Sequence, residues 1–157
     1  MRKSGQLSGE SGVYFVAHEL TKRGFQIFLP FSATNKNWDG VAIHEDVGDP
    51  IKIQVKSLSR KNGFPLSVHK VDSTAMYFFV LLNEVGEKPD CFIISGKELI
   101  ERHLDIFTSD KLFEGEELKK SIESGGHKSK TVAGGAYERP SVHLKGLKSY
   151  KNNWKIL

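Results

Sequence analysis

The chain has 157 residues, 38% of them hydrophobic and 27% charged, with a formal net charge of +4 and one cysteine. That length suits a single domain with a buried core, and no apolar run approaches the roughly 18 residues of a membrane span. Lone Cys91 rules out an internal disulfide, and no Cys/His spacing resembles a zinc site.

Residues 1–6 lack the apolar centre of a secretion signal, so the expected location is cytoplasmic. The charge is unevenly spread. Residues 119–157 carry nine Lys/Arg against two acids, Glu123 and Glu138, a local balance of +7. The other 118 residues carry 14 basic and 17 acidic side chains, or −3. A basic C-terminal third suits a polyanion, because lysines that neutralise phosphates release counterions. The same charge also suits a solvated surface, so charge alone names no partner.

In chain order, Val13, Val16, Ala17 and Leu20 recur at helical spacing and predict an amphipathic helix over about residues 9–23. Gly24 stops it after Lys22 and Arg23, whose charges suit the negative end of a helix. Residues 25–29 read as a strand closed by Pro30. A polar loop, residues 31–37, leads to a second strand that opens Trp38-Asp39-Gly40. After a polar turn and Pro50, Ile51, Ile53 and Val55 alternate with Lys52, Gln54 and Lys56, so apolar and polar residues fall on opposite sheet faces.

A looser segment, residues 57–73, carries Arg60 and Lys61. Residues 76–82 and 91–94 are nearly continuous apolar runs, the pattern of central strands covered on both sides. Ser95 is the expected N-cap of a second helix over residues 96–104. Residues 121–135 are poor in apolar side chains and read as a mobile loop. Residues 141–144 suit an edge strand, and Tyr150 and Trp154 suit docking of the tail. The element order implies one α/β domain, residues 1–157, around a mixed β-sheet flanked by helices. Its core spans about 9–104, and residues 105–157 form a basic extension that packs on or extends it.

The pair of strands holding Asp39 and Gln54-Val55-Lys56 carries the chemistry. One presents a carboxylate, the other an amide and an ammonium from a single face. Together they suit a divalent metal and an attacking water. This pattern resembles the PD-(D/E)XK nuclease superfamily, which includes restriction endonucleases and Holliday-junction resolvases. Asp39 matches the motif's Asp, and Gln54-Val55-Lys56 matches its acid-x-Lys triplet. Residues 16–25 and 53–57 look like a poorly characterised bacterial branch with a glutamine triplet.

The resemblance covers about residues 9–100 and implies a restriction-endonuclease-like core acting on DNA with Mg²⁺ or Mn²⁺. It implies Asp39, the side-chain oxygen of Gln54 and the carbonyl of Val55 as metal ligands. Lys56 would orient the water or stabilise developing charge. Lys52, Arg60 and Lys61 are the expected nucleic-acid contacts. Many nucleases of this fold are dimers, so a homodimer is a candidate assembly, and no membrane association is expected.

The chain departs from the family pattern twice. Gln54 removes a formal charge from the metal site, and Val13 stands where related helices carry glutamate. Glu10, three residues earlier near the same face, is the first substitute. Glu19 is the second and is expected to face solvent.

Each feature also has a plainer reading. Asp39-Gly40 is a strong turn signal, Lys52 and Lys56 suit a solvated strand face, and Cys91 suits a small core hydrophobe. His18 suits a surface or packing role, and neither Gly125-Gly126 nor Gly134-Gly135 has the context of a phosphate loop. Tyr137, Tyr150 and Trp154 lie among the basic residues and suit base stacking as well as anchoring. Two functions emerge: a metal-dependent DNA endonuclease, and an inactive nuclease-like module that binds nucleic acid or a protein.

Overall fold

The computed structural model describes residues 5–30, 38–60, 63–108, 130–131, 137–138 and 141–157. Helix α1 (Gly5–Thr21) is followed by β1 (Phe25–Phe28), β2 (Gly40–His44) and β3 (Pro50–Leu58). The helix begins four residues before the expected start. Its buried stripe runs Ser8, Gly12, Val16, Leu20, and the first two are too small and polar for a periodicity of large apolar residues to reveal. The chain reverses at Gly24, whose φ of 84° is a backbone state that favours glycine.

Short β4 (Phe64–Pro65) and a 3₁₀ turn, η1 (Val68–Lys70), lead to the core strands β5 (Ala75–Leu81) and β6 (Asp90–Ser95). The five-stranded sheet runs β1-β2-β3-β5-β6. It is mixed: β3 and β5 are parallel, and the other neighbours are antiparallel.

Its two faces bury different sets, as the continuous apolar runs predict. Ile53, Val55, Phe78, Val80 and Ile93 face α1 through Val16 and Leu20. Tyr77, Phe79, Phe92 and Ile94 face the opposite layer. That layer contains α2 (Gly96–Glu101), α3 (His103–Ile106), β7 (Phe107–Thr108), β10 (Ser141–Val142), α4 (Leu144–Leu147) and η2 (Lys148–Tyr150).

Ser95 caps α2 as expected, its hydroxyl accepting from the Glu98 N–H at 3.1 Å. The single helix expected over 96–104 is instead two, broken at Arg102, where ψ leaves the helical range. Ser141–Val142 is not an edge strand. It is the middle strand of a small sheet, β4-β10-β7, and the chain turns helical at Leu144. Lys130–Thr131 (β8) pairs with Tyr137–Glu138 (β9), and the rest of the expected 121–135 loop lies outside the described residues.

The C-terminal segment is docked. Tyr150 is buried, its hydroxyl donating to Glu98 Oε1 at 2.6 Å and accepting from Arg102. After a bridge from Lys151 to Phe92, η3 (Trp154–Ile156) crosses to the α1 side. There Trp154 lies 6.0 Å from the Phe78 ring and beneath the Arg23 guanidinium, 4.2 Å from the ring centre. Both aromatics anchor the tail. None of the described helices is long and apolar enough to cross a membrane.

Candidate active site at the β2–β3 junction

Asp39 sits just before β2, opposite the point where β3 outruns its partner. Its N–H donates to the Ile53 carbonyl at 2.9 Å, and its carboxylate Oδ2 accepts the Val55 N–H at 2.6 Å. The side chain therefore takes over the ladder bond that the next backbone carbonyl would have made. Asp39-Gly40 is not a turn. Gly40 opens β2 opposite Ile53, and a Cβ there would press on Ile53 and Leu29 at 3.0–3.2 Å. The dipeptide lets the strands approach and leaves the carboxylate at the open end of the ladder.

Strand geometry fixes the rest. In a β-strand the N–H and C=O of one residue point to the same edge. The Val55 carbonyl therefore faces the same edge as its N–H, alongside the Asp39 carboxylate. The register of β2 on β3 ends with Gly40 opposite Ile53, where Asp39 also bonds, and the next residue of β3, Gln54, pairs with Tyr77 of β5. Gln54 and Tyr77 are thus neighbours on one face, and the Asp39 carboxylate is close enough for its charge to act on Tyr77. Lys56 is one step along that face, next to Phe79. Gln54 is 9% exposed and Lys56 half-buried.

Tyr77 escaped the sequence reading because its place beside Gln54 depends on a parallel pairing between distant segments. Its hydroxyl accepts the Asp72 N–H at 2.9 Å. Burial pushes the phenol's pKa up and the Asp72 hydrogen bond opposes this. The charges of Asp72 and Asp39 add to the rise, so Tyr77 stays a neutral phenol that feels the Asp39 carboxylate.

The remaining candidates fall elsewhere. Lys52 is on the Gln54 face but is held by Asp72 Oδ2 at 3.4 Å and Thr74 Oγ1 at 3.2 Å. Asp72 lies below the usual carboxylate range because of hydrogen bonds from Thr74, with Lys52 adding to the effect against a small burial penalty. Arg60 is exposed after β3, and Lys61 lies outside the described residues.

Helix α1 packs on the other face of β3, so close that a Cβ on Gly12 would lie 2.5 Å from Ser57. The Ser57 hydroxyl donates to the Ser8 carbonyl at 2.7 Å. Glu10 is thus carried to the end of β3 that holds the site. It is exposed, and it lies two residues, about 200° round the helix, from both Ser8 and Gly12.

Glu19 does not face solvent. It is 4% exposed, with Arg23 at 2.8 Å and Lys22 at 3.5 Å. Burial would raise its pKa, but the Arg23 hydrogen bond and the charges of Lys22, Lys88 and Arg23 outweigh that and hold it low. The Glu19–Arg23 spacing of four residues, the ordinary distance of a helical ion pair, is the signal that could have revealed this. His18 is exposed. Cys91 is fully buried, and burial pushes its thiol far above the ordinary range.

Among the described residues, no three carboxylate, imidazole or thiol groups gather. A cation at Asp39 would draw on an amide oxygen, a backbone carbonyl and water, all hard donors that suit Mg²⁺. The donor set fits that ion, with one protein charge in place of two.

No family model matches the chain, and no curated protein matches it. Among solved structures, one similar to it is described as the structure of a bacterial homing endonuclease, I-Ssp6803I. The match has 15% identity and a TM-score of 0.51, and covers 99% of this chain and 91% of that one. The likeness is one of fold, and it runs through the C-terminal segment as well as the core.

Proposed function

We propose that the chain is a metal-dependent nuclease of the PD-(D/E)XK type that hydrolyses DNA phosphodiester bonds, with Asp39, Gln54, Val55 and Lys56 as its active site. The observation that carries this reading is the hydrogen bond from the Val55 N–H to the Asp39 carboxylate. It ties the carboxylate to the backbone of Val55, the residue between Gln54 and Lys56. The fold shared with a homing endonuclease supports the reading, as does the surplus of positive charge after residue 119.

A bound Mg²⁺ or Mn²⁺ supplies an acidified water and relief of charge on the phosphate. The chain's residues do the rest. Asp39 is locked in place by the Val55 N–H through one oxygen, and its other oxygen would hold the ion. Gln54, nine-tenths buried, offers an amide oxygen whose position the sheet fixes. Lys56, two residues along the same face, presents an ammonium that orients the water and stabilises the negative charge of the transition state. Glu10, at the neighbouring end of α1, is the candidate for an auxiliary carboxylate acting through water.

The test is cleavage of plasmid, single-stranded and branched DNA with Mg²⁺ or Mn²⁺, set beside Asp39→Ala and Lys56→Ala. Activity that needs the ion and is lost in both variants supports the site. Activity that persists in both belongs elsewhere. Salt-sensitive binding with no cleavage by the wild-type chain makes this a binding module instead.

A further inference from the structure

Tyr77 is 2% exposed, and it stands beside Gln54 in the parallel register of β3 and β5. In-register residues of neighbouring strands place their side chains about 5 Å apart on one face. The Tyr77 ring therefore flanks the Gln54 side chain. It is itself fixed twice. The ring stacks on Phe79 with centroids 6.2 Å apart, and the hydroxyl accepts the Asp72 N–H at 2.9 Å.

Asp72 carries this fixation back to β3. Its Oδ2 receives the Lys52 ammonium at 3.4 Å. Thr74, whose hydroxyl donates to Asp72 Oδ1 at 2.6 Å, meets the same ammonium at 3.2 Å. Lys52 lies two residues before Gln54, on the same face of the strand. The Asp72 turn is pressed against the start of α2, where a Cβ on Gly96 would lie 1.9 Å from the Asp72 carbonyl oxygen.

The contacts close a brace. It runs from Lys52 to Asp72, from Asp72 to Tyr77, across to Gln54 by register, and back to Lys52 along β3. A phenylalanine would fill the core as well as Tyr77 does, so the hydroxyl is there for the Asp72 turn. Gln54 brings no charge to the proposed metal site. Its worth as a ligand then depends on its oxygen being in place before the ion arrives, because a long amide side chain loses rotamer freedom when it is fixed.

We infer that Tyr77 is a positioning residue for Gln54, its pinned ring holding the amide in the orientation that a metal ion needs. The inference deepens the nuclease reading and rests on it for Gln54 as a ligand. It concerns metal binding, which can be measured apart from cleavage.

The experiment titrates Mn²⁺ into the full chain without DNA, reading the free ion by electron paramagnetic resonance, and follows plasmid cleavage on the same samples. Wild type, Tyr77→Phe, Gln54→Ala and the double variant are compared, each checked for folding by circular dichroism and thermal melting. Phenylalanine keeps the ring but releases it from Asp72. Removing a group that orients a metal ligand typically weakens affinity tenfold or more, so Tyr77→Phe should weaken Mn²⁺ binding roughly tenfold. With Gln54→Ala already present, the same change should have an effect within about twofold, the scatter of independent sites. A role confined to packing would move the melting temperature and leave Mn²⁺ binding alone.

Equal weakening in both backgrounds, or none in either, overturns the inference. Gln54-dependent weakening with no cleavage by wild type keeps it and removes the nuclease reading. Cleavage by wild type with Mn²⁺ binding unchanged in Tyr77→Phe does the reverse. No Mn²⁺ binding by wild type overturns the inference, whatever the cleavage. Should Tyr77→Phe fail to fold, Thr74→Val loosens the exposed arm of the brace, and its effect on Mn²⁺ must exceed about twofold only while Gln54 is present.

Discussion

Asp39 and Glu19 are both drawn into the fold, and they are treated in opposite ways. Glu19 is surrounded by cations: Arg23 at 2.8 Å, Lys22 at 3.5 Å, and Arg23 itself seated on Trp154. Its charge is spent within the protein, tying α1 to the C-terminal segment. Asp39 is held through one oxygen by a backbone N–H, near a neutral phenol, and among the described residues it makes no ion pair. The contrast separates a structural acid on α1 from an acid at the β2–β3 junction that the proposed nuclease reading reserves for a ligand.

The largest effect should come from Asp39→Ala. Cleavage should fall by at least about a hundredfold, the scale on which single electrostatic groups act in active sites, while stability falls by only about 1–2 kcal/mol for the lost bond to the Val55 N–H. Plasmid nicking and thermal melting of the same sample check this. A variant that melts early and loses activity only in proportion would place Asp39 with Glu19 as a structural acid.

Next is Arg23→Ala, which leaves Glu19 buried without its main partner and strips the cation from Trp154. Breaking a buried pair costs several kcal/mol. With Arg23 about one-third exposed, about 2 kcal/mol is expected, read by urea denaturation. A pH series sharpens this. The Glu19 carboxyl titrates lower in the folded than in the unfolded chain. Its contribution is therefore present above the unfolded value and lost as pH falls through the folded one. Glu19→Gln should flatten that acid-side loss of stability, and an unchanged profile would assign the loss to other groups.

Gly12→Ala should cost about 1–2 kcal/mol by overpacking α1 against Ser57. If α1 carries no catalytic group, activity per folded molecule should be little changed. If Glu10 assists, the displaced helix should lower kcat as well.

The smallest effect concerns the weakness of the site. Gln54→Glu restores a second carboxylate, so half-saturating Mg²⁺ should fall roughly tenfold, as ligand charge tunes affinity for hard cations. Without metal, two neighbouring carboxylates should lower stability slightly. A metal requirement that does not move would take Gln54 out of the ligand set.

The same contrast explains what could be read before the structure. The site strand was legible because alternation of Ile51, Ile53 and Val55 with Lys52, Gln54 and Lys56 is a local property of one segment. So were the buried runs of β5 and β6 and the Ser95 cap. Tyr77 beside Gln54 and the small β4-β10-β7 sheet depend on pairings between segments far apart in the chain, Gln54 with Tyr77 and Phe64 with Val142, with no local signature. The turn reading of Asp39-Gly40 lost to tertiary packing, because the glycine is there for close approach to Ile53. Glu19 was misplaced because its partner Arg23 lies in the turn just past its own helix, and a stripe of apolar residues does not register a neutralised acid as buried.

The most direct test is to locate the ion. Crystals soaked in Mn²⁺ should give an anomalous peak within ligand distance of Asp39 Oδ1 and the Val55 carbonyl, absent from Asp39→Ala crystals grown alike. A peak at Glu19 or the C-terminal segment, or none at the β2–β3 junction at millimolar Mn²⁺, would contradict the assignment of Asp39 as the acid that holds the metal.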